Sequence, residues 1–195
     1  MDDKVLIETL AVQTLLPVFV CDLQAIHEHL VLARQAIDEL RLAHPDTTPS
    51  NVHCVYMSPW KSHMMNGKLA PLCASVVTIA EHCAQMISAV GLPSLNMKLM
   101  VSDCWGAVYE KSDHAERHNH FPADFSVVVY LEADDHCAPI IFSGERVHQP
   151  RPGTLIVFPS ILDHEVPASE GQRVVVAMNL IKKATFIASE PPSMP

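Results

Sequence analysis

The chain has 195 residues, 49% of them hydrophobic, with a formal charge of −9 and a pI near 5.7. That is ample apolar material for one domain with its own core. Lys and Arg are scattered, and the acidic balance argues against a nucleic-acid-coating face, which must be basic.

Six cysteines (Cys21, Cys54, Cys73, Cys83, Cys104 and Cys137) form no C-x-x-C pair, so they read as reduced, mostly buried thiols. The first residues, Met-Asp-Asp-Lys, are acidic where an export signal is basic, and the apolar run 15–21 is broken by Pro17 and too short to span a bilayer. The expectation is a cytoplasmic protein with no membrane partner.

In chain order, residues 14–21 are β-branched and aromatic enough for an early strand. Asp22 is placed to cap a helix whose apolar positions are Leu23, Ile26, Leu30, Ala33, Ile37 and Leu40. Residues 44–51 are a loop by composition, and a short strand is expected over 53–57. A second helix starts near Pro71 with Leu72, Val76, Ile79, Cys83, Met86 and Val90 on one stripe, and Gly91 and Pro93 stop it. From Leu95 the apolar period changes from 3.6 to 2. Strands are expected over 95–101, 104–109, 117–121, 125–132, 138–142, 153–158 and 173–182, with a turn at Pro152-Gly153. Helices first and strands after indicate an α+β, mainly β chain in which two helices buttress an antiparallel sandwich or barrel. The expected organisation is one domain over 1–188, with helical support in 1–94 and β core in 95–182, and a frayed tail over 189–195.

Three stretches carry the chemistry: Arg117-His118-Asn119-His120, then Phe158-Pro159-Ser160-Ile161-Leu162-Asp163-His164, then Arg173. Histidines two apart on a strand share a face, because strand side chains alternate. His164 is expected just past a strand end, where functional residues of sheet proteins gather. Three histidines, or two with Asp124 in place of His120, suit a divalent iron and leave coordination positions open. Arg173 opens an apolar strand nine residues after His164, and its guanidinium fork is suited to a carboxylate. Iron with a carboxylate anchor suggests an oxygenase using an oxo-acid co-substrate. The polar stretch 111–117 is placed to close over the mouth of such a site.

The set also resembles a known family. Trp105-Gly106-Ala107-Val108-Tyr109, then His118-Asn119-His120, then Ser126-Val127-Val128-Val129-Tyr130 is similar to the central block of the iron(II)- and 2-oxoglutarate-dependent oxygenases. The closest likeness is to the small prolyl-4-hydroxylase-like bacterial and phage group with an H-x-H first motif. The run Pro152–Ser160 through His164 resembles that group's distal-histidine block, and 173–179 its closing strand. Fainter echoes occur at Leu16-Pro17-Val18-Phe19 and Trp60-Lys61-Ser62. The resemblance implies a double-stranded β-helix, a jelly-roll barrel backed by helices. It implies iron(II) on His118 and His164, 2-oxoglutarate with its distal carboxylate on Arg173, and dioxygen as oxidant. The hydroxylated substrate is open: a protein side chain, an amino acid or another small molecule. The oligomeric state is open as well: an exposed barrel edge often pairs, which allows a homodimer.

Two departures bear on these assignments. The wider superfamily has H-x-D, and here His120 stands in the aspartate's position, so the third ligand is His120 or Asp124. The group often has Ser where this chain has Val175 and a tyrosine where it has Val129, which leaves Tyr109 or Asn119 to help hold the co-substrate. A cupin metalloenzyme that does not use 2-oxoglutarate is the rival on the same barrel, since His118-x-His120-x₃-Asp124 imitates its first motif. Its second motif places a histidine about three residues after a glycine, whereas ten separate Gly153 and His164 here. A metal-free binding protein on the same barrel is the reading from a different class.

Overall fold

The computed structural model describes residues 8–11, 14–87, 98–146 and 149–183. Strand β1 (Phe19–Asp22) is shorter than the 14–21 run, because residues 14–18 adopt no regular structure. The Asp22 carboxylate accepts the Gln24 N–H at 2.7 Å at the entry to a 3₁₀ turn over Gln24–Ile26, which leads into α1 (His27–Ala43); the N-cap of α1 is Ile26 and not the expected Asp22. Leu30, Ala33, Ile37 and Leu40 on its apolar stripe are buried.

The expected strand over 53–57 is two short pieces, β2 (Val52–His53) and β3 (Tyr56–Met57), which join different sheets. A one-turn helix, α2 (Ser62–Met65), precedes α3 (Ala70–Met86), with Pro71 in its first turn. The buried face of α3 carries Leu72, Cys73, Val76, Ala80 and Cys83, whereas Met86 is exposed. The expected stops at Gly91 and Pro93 lie outside the described residues, as does the tail 189–195.

The rest is β. The two expected strands over 95–109 are one continuous strand, β4 (Leu99–Tyr109), across its described length. After it come β5 (His114–His118), β6 (Phe125–Ala133), β7 (Ile141–Phe142), β8 (Glu145–Arg146), β9 (Thr154–Pro159), β10 (His164–Val166) and β11 (Arg173–Lys182). They form two antiparallel sheets, a major one in the order β1-β9-β6-β11-β4-β3 and a minor one in the order β2-β5-β10-β7-β8. Among the described residues the two sheets remain separate ladders, so this is an open pair of sheets and not a closed barrel. Residues 1–94 also contribute three strands as well as helices.

The central strands β6 and β11 are almost wholly apolar because both faces of the major sheet are covered. Val127, Val129, Leu131, Val174, Val176, Met178 and Leu180 pack with α1 and α3 in the main core. The alternate residues Val128, Tyr130, Val175 and Ala177 face the minor sheet and line a cavity. Helix α1 lies so close to β4 that a Cβ on Gly106 would fall 2.0 Å from Ile37 Cδ1. The turn before β9 needs Gly153 at φ +80°, in the left-handed region.

Candidate metal and co-substrate site

His118 and His164 are direct cross-strand partners on β5 and β10. Strict alternation along β5 would point His118 to the same side as His114 and Glu116. Instead the register shifts: His164 to Val166 spans two residues, while the matching stretch of β5, Ala115 to His118, spans three. The extra residue turns His118 inward, so that it lines the cavity together with Ala115 while Glu116 stays exposed.

His120 arrives differently from the expectation that one strand face carries both imidazoles. Strand β5 ends at His118, and His120 lies in the turn beyond it. Its N–H donates to the Ser160 carbonyl at 2.8 Å and its carbonyl accepts the Ala123 N–H at 3.0 Å. These bonds bring the turn onto the end of β9. The three rings then converge, with centroids 4.3 Å (His118–His164), 4.8 Å (His118–His120) and 5.1 Å (His120–His164) apart. One ligand atom from each lies within 4.8 Å of the others.

Two of the rings have a fixed tautomer. His118 Nδ1 is 2.6 Å from the Glu116 carbonyl and His164 Nδ1 is 3.0 Å from that of Leu162. A carbonyl only accepts, so each Nδ1 carries the proton and each Nε2 presents a lone pair. Burial is the main cause that lowers all three pKa values. His120 is pushed down to about 3, with His164 and His118 adding to the effect, and His164 to about 4. His118 moves in the same direction, against the pull of the Glu116 carbonyl and Asp163. The rings are therefore neutral at neutral pH, as metal ligation requires.

Asp124 lies apart from this group. Its carboxylate accepts the Lys182 N–H at 2.6 Å, which ties the start of β6 to the end of β11. Asp163, which the sequence offers only as a member of the His164 motif, joins the segments that carry His118 and His164. It accepts from Arg117 Nη2 at 3.1 Å and from Asn119 Nδ2 at 2.8 Å. The signal for it was its place directly before His164. Asn119 is thereby committed to the loop and lines an outer groove, not the cavity floor.

The cavity, about 50 Å³ in volume, has the histidines on one side and Arg173 on its wall. Arg173 is buried at 4% exposure. Its Nη1 donates to the Ala138 carbonyl at 2.9 Å, and the guanidinium carbon sits 4.1 Å above the Tyr109 ring centroid. Among the described residues no carboxylate is within ion-pair distance of it. Ala107, Val128, Ile140, Val175 and Ala177 line the remainder, so the cation stands in a mostly apolar chamber. Burial pushes the Tyr130 hydroxyl up to about 12 and raises that of Tyr109 as well. Val129 faces the helices, whereas its neighbour Tyr130 faces the cavity.

The stretch 111–117 is not a free lid. Residues 114–117 belong to β5, the Asp113 carboxylate accepts the Val55 and Glu110 N–H groups, and Lys111 pairs with Glu170 at 2.6 Å.

No family model and no curated protein matches the sequence. Solved structures do match. A Pseudomonas putida prolyl-4-hydroxylase aligns over 86% of this chain and 93% of its own, at TM-score 0.58 and 16% identity. A Trichoplax adhaerens prolyl hydroxylase, in complex with a hypoxia-inducible-factor oxygen degradation domain peptide, aligns over 84% and 83%, at 0.58 and 16%. The viral collagen prolyl hydroxylase of Paramecium Bursaria Chlorella virus-1, as its 2OG complex, aligns over 86% and 96%, at 0.54 and 14%. The chain spans about half the length of a further match, a 2OG-Fe(II) oxygenase family oxidoreductase from Burkholderia pseudomallei. Among the described residues no helix is long and apolar enough to cross a membrane. The resemblance carried by the sequence motifs is thus matched in three dimensions: this chain has the fold of these prolyl hydroxylases.

Proposed function

We propose that the protein is an iron(II)- and 2-oxoglutarate-dependent oxygenase that hydroxylates a C–H bond. The observation that carries this reading is the shared cavity. Three neutral imidazoles, two with Nε2 lone pairs fixed inward, open onto the same apolar chamber as a buried guanidinium without a carboxylate partner. A buried cation of that kind is costly unless an anion meets it.

The donor set fits a divalent iron, held by His118, His164 and His120 with positions left for exchangeable ligands. Bound there, iron supplies dioxygen activation coupled to oxidative decarboxylation of the keto acid. The chain's own residues bind and orient. Arg173 takes the far carboxylate through charge-assisted hydrogen bonds, and the Tyr109 ring beneath it fixes the guanidinium plane. Tyr109 and Tyr130 keep their phenolic protons across the neutral range. Val128, Ile140, Val175 and Ala177 keep the chamber dry. Asp163 holds the histidine-bearing segments against each other.

On the other side of His118 and His120 lies a wide groove of about 570 Å³, lined by Trp60, Asn51, Phe121, Pro122 and Ile181. Phe121 is 72% exposed there. An open groove with aromatic edges suits an extended peptide more than a small metabolite, and the Trichoplax relative was solved with a peptide. A cupin reading would want Asp124 at the metal, but its carboxylate is engaged by Lys182.

Titrating the anaerobic Fe(II) protein with 2-oxoglutarate tests the proposal. The expected result is the weak visible charge-transfer band of a chelated keto acid. No band and no calorimetric binding at millimolar co-substrate would sink it.

A further inference from the structure

Strand β5 carries metal-ligating side chains on both of its faces. Inward is His118. Outward, on the far side of the minor sheet, are His114 and Glu116, two apart and therefore on one face. The edge strand β2 adds His53, which stands directly opposite His114 in the ladder. Their rings stack with centroids 4.5 Å apart and planes within 19°, and His53 Nε2 lies 2.9 Å from Glu116 Oε1. One ligand atom from each of the three falls within 4.8 Å of the others.

We propose that His53, His114 and Glu116 form a second, surface site for a borderline transition-metal dication such as Zn(II) or Ni(II), separate from the three-histidine centre. The donor chemistry argues for it. Two imidazoles and a carboxylate are the ligand types such ions take, and three protein donors leave the remaining positions to water.

The frame is also held before any metal arrives. The Glu116 N–H donates to the Asn51 carbonyl at 3.0 Å, and the Val55 N–H donates to the Asp113 carboxylate at 3.0 Å. These bonds bracket His53 on both sides and fix β2 against β5. The ion requires one internal rearrangement. Nε2 of His53 now donates to Glu116, since an ionised carboxylate only accepts. On ligation the Nε2 proton moves, to Nδ1 of the same ring or, from a doubly protonated ring, to solvent, which frees the Nε2 lone pair for the metal while Glu116 gives its oxygen to the same ion.

Occupancy has a structural consequence. β2 is the edge strand of the minor sheet, only two residues long, and Val52, beside His53, lines the inner cavity. A metal bridging His53 to His114 and Glu116 pins that edge to β5 and so holds one wall of the chamber.

The test is equilibrium dialysis of the chelator-stripped full chain against Zn(II), with metal counted by elemental analysis. The wild type should take up two equivalents. His53→Ala and Glu116→Gln should each take up one and lose the Zn(II)-dependent rise in Tm contributed by the edge strand. His164→Ala should also take up one, by loss of the inner site. Circular dichroism of each stripped variant checks folding, and the exposed positions of His53 and Glu116 leave the core untouched. If both surface variants bind as much zinc as the wild type, the surface site does not exist. A single wild-type equivalent lost with His164→Ala but kept in both surface variants overturns it equally. A single equivalent lost in the surface variants and kept in His164→Ala supports this site and counts against the three-histidine centre instead.

Discussion

His118 and His164 face each other across one rung of the β5–β10 ladder, with their rings 4.3 Å apart and each Nδ1–H tied to the carbonyl two residues earlier. Strand pairing thus sets both the separation and the tautomers of two candidate ligands. His164→Ala should lower the Fe(II) bound anaerobically by one equivalent per chain, measured by elemental analysis. Unchanged metal content would place the centre elsewhere.

The third ligand is expected to be His120. His120→Ala should lose the inner metal, while Asp124→Ala should keep it and lower Tm by a few degrees through loss of its bond to the Lys182 N–H. Metal analysis and thermal melts on the two variants separate the roles. The opposite pattern would hand the position to Asp124.

Arg173 should be needed for co-substrate and not for the fold. Truncating one partner of a buried charge contact costs about 2–5 kcal/mol, so Arg173→Ala should weaken 2-oxoglutarate by roughly 30-fold or more at unchanged metal content. Arg173→Met keeps the packed stem and removes a buried cation without a carboxylate partner, so its Tm should stay level or rise. Calorimetry and a thermal melt read the two effects. Undiminished 2-oxoglutarate affinity in both variants would contradict the anchoring role.

Asp163, the residue preceding His164, touches no metal-facing atom yet its carboxylate holds Arg117 and Asn119, the two neighbours of His118. Asp163→Ala should reduce inner-site metal affinity by about 10- to 100-fold, the usual effect of losing a group that orients ligands. Competition with a chromophoric chelator measures it. Asp163→Asn, which retains one acceptor oxygen, should recover part of the loss.

The Ile37 side chain of α1 packs directly on Gly106 of β4, where it leaves no room for a Cβ. Gly106→Ala should destabilise the fold by about 1–3 kcal/mol through overpacking. Adding Ile37→Val to it should recover part of that loss, as urea denaturation would show.

Local chemistry was legible in the sequence. The α1 stripe, Pro71 at the start of α3, the Pro152-Gly153 turn and the continuous apolar runs of β6, β9 and β11 follow from period, composition and backbone preference, all of which act over a few residues. The same holds for the histidine and arginine motifs, because their types and order state the chemistry they suit. What the tertiary structure alone decided is where those side chains point. The irregular β5–β10 pairing turns His118 inward, and a turn bonded to Ser160 brings in His120 where a strand face was expected. Residues 53–57 divide between two sheets, Asp124 goes to Lys182, and the 111–117 stretch is held by Asp113, Glu170 and strand pairing instead of swinging free. Each of these depends on a hydrogen-bond partner distant in sequence. A one-residue change in register reverses the face a strand side chain presents, and a short polar strand such as β5, His-Ala-Glu-Arg-His, carries too little apolar pattern to specify that register by itself.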